Sequence, residues 1–240
     1  MLGITIHLAA GEFKPMFDGD SFDGWYVAIA GKGRVAQQDI FTIEGGTIRT
    51  YAAKPHLSEQ PFAGLITERE YQAYHLKLEY RWGEKIFAPR DQMVRDAGVM
   101  YHVFGDDVIW PDCLECQIQE GDTGDIWAVN VIATSKVQNV IRNYSPTGKE
   151  VTRGGPGEPR FARFHRSYCW EVPGWNTVEL IVQGPKAIFK VNGHVVNEVT
   201  NAVVNRDGVS APLEKGKILL QAEGAEIFYR NVQIKELSLP

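Results

Sequence analysis

The chain has 240 residues, 44% of them hydrophobic and 23% charged, a composition that supports a sizeable buried core and excludes wholesale disorder. A formal net charge of −5, with 25 Lys and Arg residues scattered along the sequence, offers no electrostatic footprint for a nucleic-acid backbone. No run approaches the ~20 apolar residues needed to cross a bilayer, and residues 1–15 lack the basic start and apolar length of a signal peptide.

Strand signals recur from end to end, each short and rich in β-branched or aromatic residues. In chain order they are FTIEGGTIRTY (41–51), GLITE (64–68), YHLKLEYRW (74–82), AGVMYHVF (97–104) and CLECQIQ (113–119). IWAVNVIA (126–133), NTVELIVQG (176–184), KAIFKVNGHVV (186–196), GKILLQAEG (216–224) and AEIFYRNVQIKEL (225–237) follow. Asn192-Gly193 predicts a hairpin turn, because both positions of the favoured two-residue turn need positive φ. Residues 67–74 read as a single helical turn, and 143–175, rich in Gly, Pro and Arg, as a long ordered loop over one face. Many short strands without crossover helices predict one all-β domain over residues 1–240, a β-sandwich or jelly roll.

The cysteines carry little chemistry. Cys113 and Cys116 form a C-x-x-C, but on a strand residues three apart point to opposite faces, so both thiols do not grip one metal. The six histidines show no metal-ligand spacing. Gly154, Gly155 and Gly157 around Pro156 are not followed by a predicted helix, so a phosphate cradle fails on context.

The informative pattern is polar alternation. In residues 74–82, His75, Lys77, Glu79 and Arg81 share one face; in 97–103, Gly98, Met100 and His102 do; in 113–119, Glu115, Gln117 and Gln119 do. Three such faces close in sequence are expected to line a common groove for a polyhydroxylated ligand, with aromatic rings such as Trp110 at its rim. The alternative is an ordinary solvated face laced with cross-strand charge pairs. Glu115, Gln117 and Glu120 approach the carboxylate strand motif of laminarinase-like β-glucanases. Gln117, however, takes and gives no proton in place of the second carboxyl of a conventional hydrolase.

FDGDSFDGW (17–25), GLITEREYQAYHLKLEYRW (64–82), AGVMYHV, the E-C-Q-I segment after Trp110-Pro111, GWNTVELIVQG, VNGHVV and the segment from 216 to 237 together resemble the 3-keto-disaccharide hydrolase family, formerly a domain of unknown function. The resemblance is thinnest over 143–168. It implies a concanavalin A-like jelly roll, in agreement with the strand pattern. It also implies bacterial breakdown of glycosides whose sugar a separate upstream oxidoreductase has oxidised to the 3-keto form, and it favours a periplasmic or secreted setting. A C3 ketone acidifies the C2 proton, so one base removes it and the anomeric substituent leaves by β-elimination; the resemblance implies this elimination, hydration of the enone-like product, or both.

On that reading Glu115 or His102 is the general base or acid, and Arg81 and Lys77 stabilise the enolate. Glu79 orients those cations, Gln117, Gln119 and His75 bind substrate, and Trp110 and Asp122 form rim contacts. A divalent metal would serve in place of the cations, although no spacing demands one. Two other function classes remain open at this stage: a non-catalytic carbohydrate-binding module and a conventional glycoside hydrolase on the same fold.

Overall fold

The computed structural model describes residues 11–36, 39–138, 143–155, 157–206 and 208–238. The N-terminal segment 1–10, which includes His7, and Pro156 of the glycine-rich run lie outside the described residues. Two large antiparallel sheets dominate. The first orders its strands His194–Val199, Lys186–Val191, Asn176–Gln183, Ala73–Ile86, Ala225–Glu236, Thr47–Thr50 and Phe41–Glu44, with Lys14–Pro15 beside Ala225–Glu236. The second runs Phe161–Phe164, Ile126–Val129, Asp112–Gln119, Asp96–Phe104, Lys217–Ala222, Ala63–Thr67, Trp25–Ile29 and Gly33–Val35. A smaller sheet joins Lys149–Arg153, Ile132–Val137, Asn201–Arg206 and Val209–Pro212.

The core lies between the two large sheets, as the period-2 pattern dictates. Leu76, Leu78, Tyr80, Leu180, Phe189 and Tyr229 of the first sheet meet Val99, Tyr101, Leu114, Cys116, Ile126 and Leu220 of the second in one buried cluster. Cys116 therefore packs in the core while Cys113 faces outward in a separate cluster, and both are free thiols. Asn192 and Gly193 take φ of 47° and 83°, the hairpin geometry their sequence requires.

Three expectations need correction. Residues 67–74 form a bend and part of a strand, and no helix occurs among the described residues. The backbone there is held in the sheets instead: Tyr71 and Gly216 exchange hydrogen bonds of 2.8 and 3.2 Å. IWAVNVIA is two strands broken at Asn130, whose φ is 53°. The expected long loop contains Lys149–Arg153, paired with Ile132–Val137, and Phe161–Phe164, paired with Ile126–Val129, so its backbone groups are satisfied by sheet edges. The strand Trp25–Ile29 is buried along its length, so no polar alternation marks it in the sequence.

Candidate active site

The three polar faces do not share a surface. Ala73–Ile86 is hydrogen-bonded between Asn176–Gln183 and Ala225–Glu236 in the first sheet, whereas Asp96–Phe104 and Asp112–Gln119 are neighbours in the second. With Leu76, Leu78 and Tyr80 pointing into the core, His75, Lys77, Glu79 and Arg81 lie on the far side of the sandwich from Glu115. There they form the charge ladder of an outer face. His75 Nε2 is 2.8 Å from Glu179, Arg230 donates to Glu79 at 2.6 Å, and the Arg81 guanidinium stacks 3.7 Å from the Phe228 ring centroid. The structure thus separates Lys77, Glu79, Arg81 and His75 from the rest of the expected site. Sequential strands often pair, but the 87–95 connection crosses from one sheet to the other, and alternation carries no record of that crossing.

His102 is displaced for a different reason. The pairing of Asp96–Phe104 shifts register between Tyr101 and Phe104, and His102 sits in that irregularity with φ of 52°. The extra residue reverses the alternation, so Val103 rather than His102 joins Met100 on the outward face. The His102 ring lies 5.1 Å from that of Tyr101, and its Nε2 meets the carbonyl of Gly184 at 2.8 Å, in the first sheet's turn. Burial lowers its pKa to about 4. A neutral imidazole tied to backbone in the interior is a packing group.

Glu115, Gln117 and Gln119 do face outward together, and Gly98 and Met100 lie opposite Gln117 and Glu115. That face is closed over: Glu115 and Gln117 are each only 6% exposed. Gly98 makes the close packing feasible, since a Cβ there would lie 2.9 Å from Glu115 Cδ and 3.2 Å from Gln221 Oε1. Trp127 stands opposite Glu115 on the next strand, with the Arg163 guanidinium 5.3 Å above its ring. Trp110 packs against the outward cluster and lies edge-on to Phe62 and Phe161, at 5.5 and 6.4 Å. Asp122 is more peripheral, spent on Arg163 and Arg166 at 2.8 and 3.0 Å.

The structure adds groups that the strand reading missed. After Ile86 the chain turns, with Phe87 N–H donating to Gly224 and Arg90 N–H to Phe87, and so carries Arg90 across the ends of two strands. Its guanidinium bridges Asp96 and Glu223, the latter at 2.8 Å, and Gln119 donates to Asp96 at 2.6 Å. Gln221, outward on Lys217–Ala222, is fully buried. Alternation in KILLQAE placed Gln221 and Glu223 on one face and was the available signal. Arg90, on a connection, had none.

Three carboxyl groups therefore share this face with the Arg90 guanidinium, and the Arg163 guanidinium lies beside them over Trp127. Burial pushes Glu115 well above the ordinary carboxyl range, and the nearby Glu223 and Asp96 charges push it further. Glu223 and Asp96 are also raised by burial, with Arg90 opposing the rise in both. Of thirteen buried side-chain N and O atoms without a hydrogen-bond partner among the described residues, six gather here. They belong to Gln117, Gln221, Trp127, Asp96 and Arg90. Buried polar atoms are nearly always paired, so such a concentration marks a place built to meet a polar ligand. Among the described residues no group of three or more His, Cys, Asp or Glu is arranged to hold a metal ion.

Comparison with protein families matches residues 12–235 to the 3-keto-alpha-glucoside-1,2-lyase-like domain. The chain belongs to that family. Membership of the 3-keto-alpha-glucoside-1,2-lyase-like family supports a carbohydrate-active function. A search of curated proteins finds no match. Among solved structures, a candidate glycosyl hydrolase from Parabacteroides distasonis ATCC 8503 is 18% identical, with 94% of each chain covered and a TM-score of 0.56. A second from the same organism is 16% identical, with 94% of this chain and all of the other covered, at 0.54. A Bacillus subtilis protein of unknown function with a galectin-like fold is 11% identical over 98% and 99% of the two chains, at 0.50. At these identities the likeness establishes the fold, a concanavalin-like jelly roll.

Proposed function

We propose that the protein cleaves the glycosidic bond of 3-keto-glycosides, by removal of the C2 proton and β-elimination of the anomeric substituent, with hydration of the resulting 2-hydroxy-3-keto-glycal. The observation that carries this reading is the cluster of unpartnered buried polar atoms around Glu115, in a chain of the 3-keto-alpha-glucoside-1,2-lyase-like family. The ketone makes the C2 proton acidic. When a base takes it, the electron pair enters an enolate, then forms the C1–C2 double bond as the C1–O bond breaks, and the departing oxygen takes up a proton. Two proton-handling groups and one cation serve this sequence.

Glu115, whose burial favours its protonated form, gives the proton to the departing oxygen in this reading. Glu223, held by Arg90, takes the C2 proton, and Arg90 supplies the positive charge that stabilises the enolate. Arg90 thereby replaces Lys77 and Arg81, which face the other way. Gln117, Gln119 and Gln221 offer amide donors and acceptors to sugar hydroxyls, and Trp110 offers a ring edge beside Phe161.

The test is product analysis by NMR in deuterated water with a 3-keto-glucoside, on the wild type and on Glu115→Gln. Release of the leaving group with loss of the C2 proton of the keto sugar, seen as the 2-hydroxy-3-keto-glycal or as deuterium at C2 of its hydrated product, and loss of both in Glu115→Gln, is the expected result. Release with the original C2 proton retained would point to direct displacement, and binding without turnover to a binding module. Full activity of Glu115→Gln would remove Glu115 from the mechanism.

A further inference from the structure

A second surface, sharing no residue with the Glu115 site, carries its own ligand chemistry. The segment after Phe161–Phe164 runs along the edge strand His194–Val199, anchored where Ser167 N–H donates to Val196 at 3.2 Å and Asn192 donates to the Trp170 carbonyl at 2.8 Å. The anchoring turns two aromatic side chains outward. Tyr168 is 72% exposed and Trp170 39%. Trp170 is braced from behind: its ring lies 3.6 Å from that of His194 and nearly parallel to it, while Tyr168 stands edge-on at 6.3 Å. Exposed tyrosine and tryptophan rings held rigid present a flat apolar face at little entropic cost.

Beside these rings opens a cleft of about 650 Å³, large enough for one or two sugar rings. Its walls include Tyr168 together with Asn143, Tyr144, Ser145, Ser167 and Glu198. Glu198 is 8% exposed, and its Oε2 has no hydrogen-bond partner among the described residues. A flat ring face next to hydroxyl, amide and carboxylate groups matches a pyranose, which offers an axial C–H surface on one side and hydroxyl donors around its rim. The carboxylate favours neutral hydroxyl donors and disfavours uronates by like-charge repulsion.

We infer that the Tyr168–Trp170 surface and its adjoining cleft form a second carbohydrate-binding site, for neutral pyranose oligosaccharides and independent of the catalytic reading of Glu115. It holds unoxidised saccharide, so the probes are cellotetraose and maltotetraose, which lack the C3 ketone. The experiment is NMR titration of the indole N–H signals, paired with calorimetry, on the wild type, Tyr168→Ala, Glu198→Gln and Glu115→Gln.

At least one saccharide is expected to shift the Trp170 signal, and Tyr168→Ala to weaken that binding roughly tenfold, the size of one lost stacking contact. Glu198→Gln weakens it also, whereas Glu115→Gln leaves it intact. Turnover of a soluble 3-keto-glucoside is unchanged in Tyr168→Ala. The inference is overturned if neither saccharide perturbs Trp170, if Tyr168→Ala binds as the wild type does, or if the saccharide signal disappears in Glu115→Gln. It is overturned equally if sedimentation shows a dimer that Tyr168→Ala dissociates, since the surface would then belong to a second copy of the chain.

Discussion

Gly98→Ala isolates the geometry of the carboxyl site from its chemistry, because it adds one methyl group and removes no functional atom. Gly98 does not occupy the left-handed region, so the backbone accepts alanine. The new Cβ would lie 2.9 Å from Glu115 Cδ, closer still to Oε1, and 3.2 Å from Gln221 Oε1. Ordinary contact begins near 3.4 Å, so the carboxyl group must move by about 1 Å among close-packed neighbours. A displacement of that size costs about 100-fold in rate, or about 2.7 kcal/mol of transition-state stabilisation. Overpacking costs a further ~1–3 kcal/mol of stability, offset in part by the ~0.4–1 kcal/mol gained when glycine leaves the unfolded chain. The assay compares kcat/KM on a 3-keto-glucoside with urea unfolding. Gly64→Ala is the control, since its Cβ would press on the apolar Leu219 of the same face at 2.7 Å. Gly98→Ala is expected to lose about 100-fold in kcat/KM while remaining folded, and Gly64→Ala to lose stability while keeping its turnover. Wild-type kcat/KM in a folded Gly98→Ala protein would refute the assignment of Glu115.

Arg81→Ala and Lys77→Ala, on the opposite sheet, are expected to leave turnover unchanged and to alter stability by no more than about 1 kcal/mol, the value of an exposed ring contact, as urea midpoints would register. Arg90→Ala should destabilise the fold by about 3–5 kcal/mol in urea titrations, because Asp96 and Glu223 would keep buried carboxyl groups without their cation. His102 governs part of the acid limb. Its pKa is about 4 when folded against an ordinary 6.5, so the unfolded chain binds the extra proton between those values, and stability falls as pH drops from about 6.5 to 4. The contribution approaches about 3 kcal/mol. His102→Asn, which tolerates positive φ, should flatten that limb in urea titrations from pH 4 to 7 and leave turnover intact. An unchanged acid limb would place the pH dependence elsewhere.

Local chemistry made much of the architecture legible. Asn192-Gly193 specified its hairpin, and the period of two in residues 113–119 assigned Glu115 and Gln117 to one face and Leu114, Cys116 and Ile118 to the other, and it is these last three that join the core between the sheets. Such patterns are legible because a strand alternates its side chains whatever lies next to it. The bulge at His102 broke the same rule, since one extra residue reverses every face after it and leaves no mark in composition.

The amino-acid sequence by itself determined that this protein is an all-β sandwich and that Glu115, Gln117 and Gln119 point the same way, because strand formation and facing depend on neighbours within a few residues. Only the tertiary structure decided which strands lie in the same sheet. It sent His75, Lys77, Glu79 and Arg81 to the far side, drew His102 inward, and brought Arg90, Asp96, Gln221 and Glu223 to Glu115 across as many as 133 residues between Arg90 and Glu223. Those pairings depend on the path of connections such as 87–95 between sheets, and no local periodicity encodes that path.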